Sequence, residues 1–253
     1  MALLTDATGE YATAANPWSG GGVTFSMWVR RVGGSSSSKH LSSVLVAANG
    51  ENYLDRINVL LDGSYHVQAT YAAGAGATND VSTATYSTSA WFHVAGQYAG
   101  SGGSITECEA FLDGTGTASP GTGSRTPAGL DQLRLGTSVT NGGAYELAHF
   151  ALFNTELSGS QITELQTKQP NAITGASPIV YYPLLSGDGF LSGSTYSNQG
   201  TGGATYDLTL QGTISISGTN DGSLPSLSAP SPGGGPLTGG LTRSILAKGR
   251  LVA

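Results

Sequence analysis

Two carboxylates, Glu107 and Glu109, are the side chains whose type and spacing first suggest chemistry in this chain. On a β-strand, residues i and i+2 point to one face. Such a pair could serve as nucleophile and general acid in glycoside hydrolysis. The competing reading is two carboxylates on a solvated sheet face. We adopt that one, because no other residue completes a catalytic set. His40, His66, His93 and His149 show no metal-ligand spacing with one another or with the single cysteine, Cys108. His93 and His149 sit inside apolar runs and are expected to be hydrogen-bonded structural residues. The chain has no Gly-x-Ser-x-Gly elbow, and Cys108 has no adjacent cation to activate it. The expectation is a protein that is not an enzyme.

The elements that carry these residues read as strands. Ala90–Tyr98 and Glu107–Gly114 are short aromatic or β-branched runs bounded by Gly and Ser, and they form a central hairpin. Val23, Phe25, Met27 and Val29 alternate on one face, with Trp28 on the other. Ile57–Leu61, Asp62-Gly63 and Tyr65–Tyr71 make a second hairpin. Residues 72–79 are expected to be a loop, 81–86 a short strand and 115–127 a long loop. Ala144–Phe153 is the most continuously apolar strand. Ser158 and Gln161 have capping-box spacing ahead of Ile162 and Leu165, so one short helix is expected near 158–168, before Pro170. Ile179–Leu184 and Tyr206–Ile216 read as closing strands, with a Gly/Ser-rich connection between them.

Gly supplies 39 of 253 residues and charged residues only 10%, which suits strands joined by many turns. Net charge is −6. Residues 1–217 carry seven Lys/Arg against fifteen Asp/Glu, a balance of −8, and residues 218–253 carry three against one, +2. The acidic body argues against general nucleic-acid binding, and the basic tail suits an acidic partner surface. A single cysteine allows no internal disulfide. No run approaches a membrane span, so no membrane insertion is expected. No signal peptide is visible, which suggests synthesis in a cytosol without export, or export by a route the sequence does not show.

Phe25-Ser-Met-Trp-Val-Arg30, Trp91-Phe-His-Val-Ala95 with Phe111-Leu-Asp-Gly114, and Leu133-Arg-Leu-Gly136 followed by an apolar strand and a short helix resemble laminin-G-like, concanavalin A-type jelly rolls. The resemblance implies an all-β, antiparallel two-sheet sandwich over residues 1–217. Laminarinase-type members place carboxylates along one strand in the order Glu-x-Asp-x-x-Glu. This chain departs from that order, with Cys108 where the middle Asp would stand. No cofactor is expected except calcium, which many laminin-G-like domains bind. Asp6, Asp188 and Asp207, with Asn198, are the candidate oxygen ligands in Gly-rich segments. For glycans, Tyr71, Tyr98 and Tyr145 are the candidate stacking faces, with Tyr86 and Tyr196 as further ones.

Residues 218–240 are a Gly/Pro/Ser-rich linker that cannot build a core. Residues 241–253 form an apolar-basic segment, and Leu241, Arg243, Ile245, Leu246, Lys248, Arg250 and Leu251 are its candidate docking residues. The leading expectation is a non-catalytic structural or accessory protein of a phage-like virion: a capsid decoration, a head fibre or a tail-associated protein. Laminin-G-like domains occur in such proteins. The extended C-terminal arm would dock on other virion proteins or on copies of the chain itself, giving a homo-oligomer. The alternative is a lectin-like module of a surface or secreted protein that binds cell-surface glycans.

Overall fold

The computed structural model describes residues 2–5, 10–32, 39–46, 55–87, 90–136, 145–185, 187–212, 214–217 and 224–230. Asp6 and the seven docking residues of 241–253 lie outside the described residues. Two antiparallel sheets face each other. The first runs β10 (Gly121–Arg125), β9 (Ser104–Leu112), β8 (Phe92–Ser101), β3 (Val23–Arg31), β12 (Tyr145–Phe153), β1 (Ala2–Thr5) and β17 (Ser215–Ser217), with β13 (Val180–Tyr182) also paired to β12. The second runs β14 (Leu191–Ser192), β15 (Thr195–Tyr196), β16 (Leu208–Gln211), β2 (Tyr11–Ala15), β11 (Gln132–Leu135), β4 (Lys39–Leu45), β5 (Arg56–Leu61), β6 (Val67–Ala73) and β7 (Gly76–Val81). This is the expected two-sheet sandwich.

Strand alternation makes the core. Phe25, Met27 and Val29 of β3 and Phe92, Val94 and Tyr98 of β8 face Val44, Val59, Tyr71 and Leu133 of the second sheet. Tyr98 packs edge-on against Phe25 at 5.8 Å and against Tyr71 at 6.4 Å, and its hydroxyl donates to the Asn58 carbonyl at 2.6 Å. A buried hydroxyl has to find such an acceptor.

The hairpin from β8 to β9 turns on Gly102 and Gly103, both at positive φ. Asp113 and Gly114, at φ 47° and 74°, make the next tight turn. The Asp113 carboxylate accepts from the His93 amide at 2.8 Å, which ties the turn back to β8.

The first sheet is covered on both sides, which explains Trp28 and the unbroken apolar run of β12. On its back lies helix α1 (Gly159–Glu164). Ile162, Leu165 and the following Ile173 pack there on Ala95, Phe111, Ala151 and Phe153. The predicted capping box is formed: Ser158 Oγ accepts from the Gln161 amide at 3.3 Å, and Gln161 Oε1 accepts from the Ser158 amide at 2.8 Å. Ser158→Ala should therefore cost about 1 kcal/mol, read as a shift in the urea midpoint. An unchanged midpoint would show that the cap adds nothing to this short helix.

Four local expectations are corrected. Gly74, at φ 55°, turns the chain early, so β7 occupies Gly76–Val81 and residues 82–86 form no strand. The expected loop at 115–127 contains β10, which pairs with β9. Gly121 sits there so close to β7 that a Cβ would stand 2.4 Å from the Asn79 carbonyl oxygen. The Gly/Ser-rich connection after Leu184 holds the β14–β15 hairpin. The run 206–216 splits into β16 of the second sheet and β17 of the first.

Candidate binding face

The back of the first sheet is covered, so the outer face of the second sheet is where polar side chains can line up. They do so in a row that crosses eight strands. Register pairs join Thr195 to Thr209, Thr209 to Thr13, Thr13 to Arg134, Arg134 to Ser43, Ser43 to Asn58, Asn58 to Thr70 and Thr70 to Asn79. Each is the outward residue of its strand, since its sequence neighbours Tyr196, Leu208, Ala12, Leu133, Val44, Ile57 and Ala69 enter the core, and Asp80, beside Asn79, turns inward to accept from the Ala110 amide of β9. The middle of the row, from Arg134 to Thr70, is buried, and its ends are open. The Arg134 guanidinium lies 4.4 Å from the centre of the Tyr11 ring and donates to Gln132 Oε1 at 3.0 Å.

At the open end beside β16, β2 and β11 lies a groove of about 340 Å³, lined by Thr13, Ala14, Ala15, Asp131, Gln132, Asp207 and Thr209. Asp131 is positioned by its own backbone, whose amide donates to the Leu45 carbonyl at 3.0 Å while its carbonyl accepts from Asn16 at 3.1 Å. Asp207 follows a 3₁₀ turn (Gly203–Tyr206), and its Oδ1 accepts from the Asn198 amide at 2.8 Å. Two hydroxyls and an amide can each donate and accept, whereas two carboxylates only accept. That set matches a ligand rich in hydroxyl groups.

The candidate tyrosines take another role. Tyr71, Tyr98 and Tyr145 are 0%, 0% and 2% exposed. Their rings fill the core and offer no open stacking face, which corrects the expectation of a sugar platform there. Tyr86 stacks on Phe92 at 4.8 Å and Tyr196 is fully buried. The signal was a flat apolar ring with a polar tip, which suits cross-strand packing as well as a platform.

Among the acidic candidates, Asp188 is used locally. It accepts from the amides of Leu185 at 3.2 Å and Phe190 at 3.0 Å and from the Tyr196 hydroxyl. Asn198 stitches its own loop, accepting from the amides of Tyr181 and Gly200 and donating to the carbonyls of Ile179 and Gly203. Of the two candidate aspartates among the described residues, Asp207 lines the groove and Asp188 does not. Among the described residues, no three His, Cys, Asp or Glu side chains gather as a metal ion would require.

Glu107 and Glu109 do share a face, as their spacing implies, and Gln97 and Glu156 join them around a cavity of about 20 Å³. That is room for one water, not for a sugar ring. Burial, then Asp80 and Glu107, push the Glu109 carboxyl above its ordinary value. Cys108 is 1% exposed, and burial pushes its thiol up to about 12. His93 shares a hydrogen bond with Ser26 Oγ at 2.9 Å, and His149 with the Tyr181 hydroxyl at 2.9 Å, so both are the hydrogen-bonded structural residues expected.

The family model for the concanavalin A-like lectin/glucanases superfamily matches residues 5–163. A Bacteroides ovatus protein described as a candidate carbohydrate-binding protein superposes with a TM-score of 0.51 at 12% identity, over 85% of this chain and 60% of that one. A heptameric SAP-like pentraxin from Limulus polyphemus gives 0.42 at 8% identity, over 65% of this chain and 81% of that one. The binding domain of botulinum neurotoxin DC, solved with rat synaptotagmin II, gives 0.44 at 13% identity, over 64% and 41%. The Bacteroides structure shows a common fold. No curated protein sequence matches this chain.

Proposed function

The chain belongs to the concanavalin A-like lectin/glucanase superfamily, and from that premise we propose that it is a non-catalytic binding module for saccharides. The observation that supports this best is the groove on the second sheet, where Thr13, Asp131, Gln132, Asp207 and Thr209 converge from separate segments around about 340 Å³. Sugar hydroxyls would donate to the two carboxylates and exchange hydrogen bonds with Gln132 and the threonines. The cramped cavity at Glu107 and Glu109 fits a module that holds a sugar without cleaving it.

The test is a glycan array probed with the full-length protein, followed by calorimetry on the best saccharide. Asp131→Ala and Asp207→Ala should each weaken binding about 10- to 100-fold, the worth of a hydrogen bond to a charged group. Saccharide binding that both variants retain would move the site elsewhere. A blank array would remove the reading.

A second reading has its own observation. Residues 224–230 lie on the back of the first sheet, on the far side of the sandwich from the groove. The chain that follows Pro230 therefore starts from the face opposite the proposed sugar site. That arrangement suits an accessory protein of a phage-like virion, fastened through its C-terminal segment to neighbouring virion proteins or copies of itself while the groove faces outward.

A further inference from the structure

The back of the first sheet carries a patch that α1 does not cover. Trp28, Trp91 and Ala148 form it, with Leu185 at its rim. What covers it is a short piece of the chain's own C-terminal region. Leu224 and Leu227 pack on the tryptophans. Ser228 pairs in parallel with Lys168, its amide donating to the Thr167 carbonyl at 2.9 Å and its carbonyl accepting from the Gln169 amide at 2.9 Å. Ser228 Oγ adds a bond to the Thr167 carbonyl at 3.1 Å.

The fit is partial. The indole N–H groups of Trp28 and Trp91 are buried without an acceptor among the described residues. A cavity of about 370 Å³ remains beside the segment, lined by His149, Gln169, Leu185 and residues 224–227. Ser226, Ser228, Ala229 and Pro230 are exposed, and both leucines are only half-buried. Only three hydrogen bonds and two half-buried leucines offset the backbone entropy of ordering seven residues. A segment held so lightly leaves its seat readily.

We propose that this patch is a docking groove for an extended Leu-x-x-Leu segment, and that its occupant is exchanged between copies of this chain. Each copy would place its residues 224–230 on a neighbour's Trp28 and Trp91. The contacts are those seen within one chain, so exchange needs no new complementarity. Pro225 and Pro230 keep the segment from folding into a helix of its own. Residues 218–223, Gly-Thr-Asn-Asp-Gly-Ser, connect it to β17 and can span at most about 20–25 Å, so the partner's groove must come that close. The inference is independent of saccharide binding.

Lys168 and Ser228 stand opposite each other across the parallel bridge, so a disulfide between them reports which chain supplies the segment. The full-length K168C/S228C protein would be oxidised at a series of concentrations and run on a non-reducing gel. Native Cys108 is 1% exposed and does not compete. Covalent dimers and larger species that grow with concentration are the expected result, and cross-linking within single chains at every concentration overturns the proposal. Light scattering on the cysteine-unaltered full-length protein and on Leu224→Asp/Leu227→Asp gives a second test. The charged leucine variant should associate at least tenfold more weakly. Equal masses for the two proteins would overturn the exchange.

Discussion

Replacement of Glu146 by alanine is expected to destabilise the protein by about 3–5 kcal/mol, the usual cost of removing one partner of a buried ion pair. Glu146 and Arg30 are 3% and 8% exposed on the covered back of the first sheet, at paired positions of β12 and β3. Arg30 Nε donates to Glu146 Oε2 at 2.7 Å, Nη2 donates to the same oxygen, and the guanidinium lies 5.4 Å from the Trp91 ring centre. Glu146→Ala leaves that guanidinium buried without its carboxylate. The pair is worth less than its removal costs, because both ions were desolvated to form it. Arg30→Met combined with Glu146→Leu should therefore recover much of the loss. Urea midpoints of the single and double variants measure both effects, and a double variant as unstable as the single one would show that the pair itself carries net stability.

The second large effect is on pH. Burial pulls His93 down from 6.5 to about 3 and His149 to about 4, the latter against the opposing pull of Asp188. Both rings are therefore neutral in the native state over a range where the unfolded chain binds protons. Below pH 6.5 the unfolded state takes up two protons that the native state refuses, so stability falls as pH falls and is regained as it rises. Each pH unit costs about 1.4 kcal/mol per histidine. From pH 7.5 to pH 5, which stays above the ordinary carboxylate range, the two together should remove about 4 kcal/mol. Unfolding free energies at pH 7.5 and 5.0 measure this directly. Equal values would show that both rings reach solvent or a counter-charge in the folded protein.

Most of the fold was legible in the sequence, and the reason is local. A period of two over Val23–Val29, Gly-bounded aromatic runs and Asp-Gly turns each specify a strand or a hairpin within a few residues. The Ser158–Gln161 box marked the helix because a cap is satisfied by groups three positions apart. The laminin-G-like resemblance rested on the same runs. Where the expectation slipped, a distant partner made the element: β10 is Gly/Thr-rich yet is a strand, because β9 pairs with it and β7 lies against it.

The site was much less legible. Tyrosine is apolar and polar at once, so type alone did not say that Tyr71, Tyr98 and Tyr145 enter the core. Thr13, Asp131, Gln132 and Thr209 carry no motif and were passed over. They meet because β16, β2 and β11 are adjacent in the sheet although far apart in the chain. The amino-acid sequence alone determined an acidic, glycine-rich, single-cysteine chain of alternating strands, since composition and period act over a few residues. Which face of each sheet is covered, and so which polar side chains form a groove and which tryptophans lie under a C-terminal segment, was decided by tertiary structure alone. Strand order and register are set by the joint burial of both sheets, which no single segment encodes.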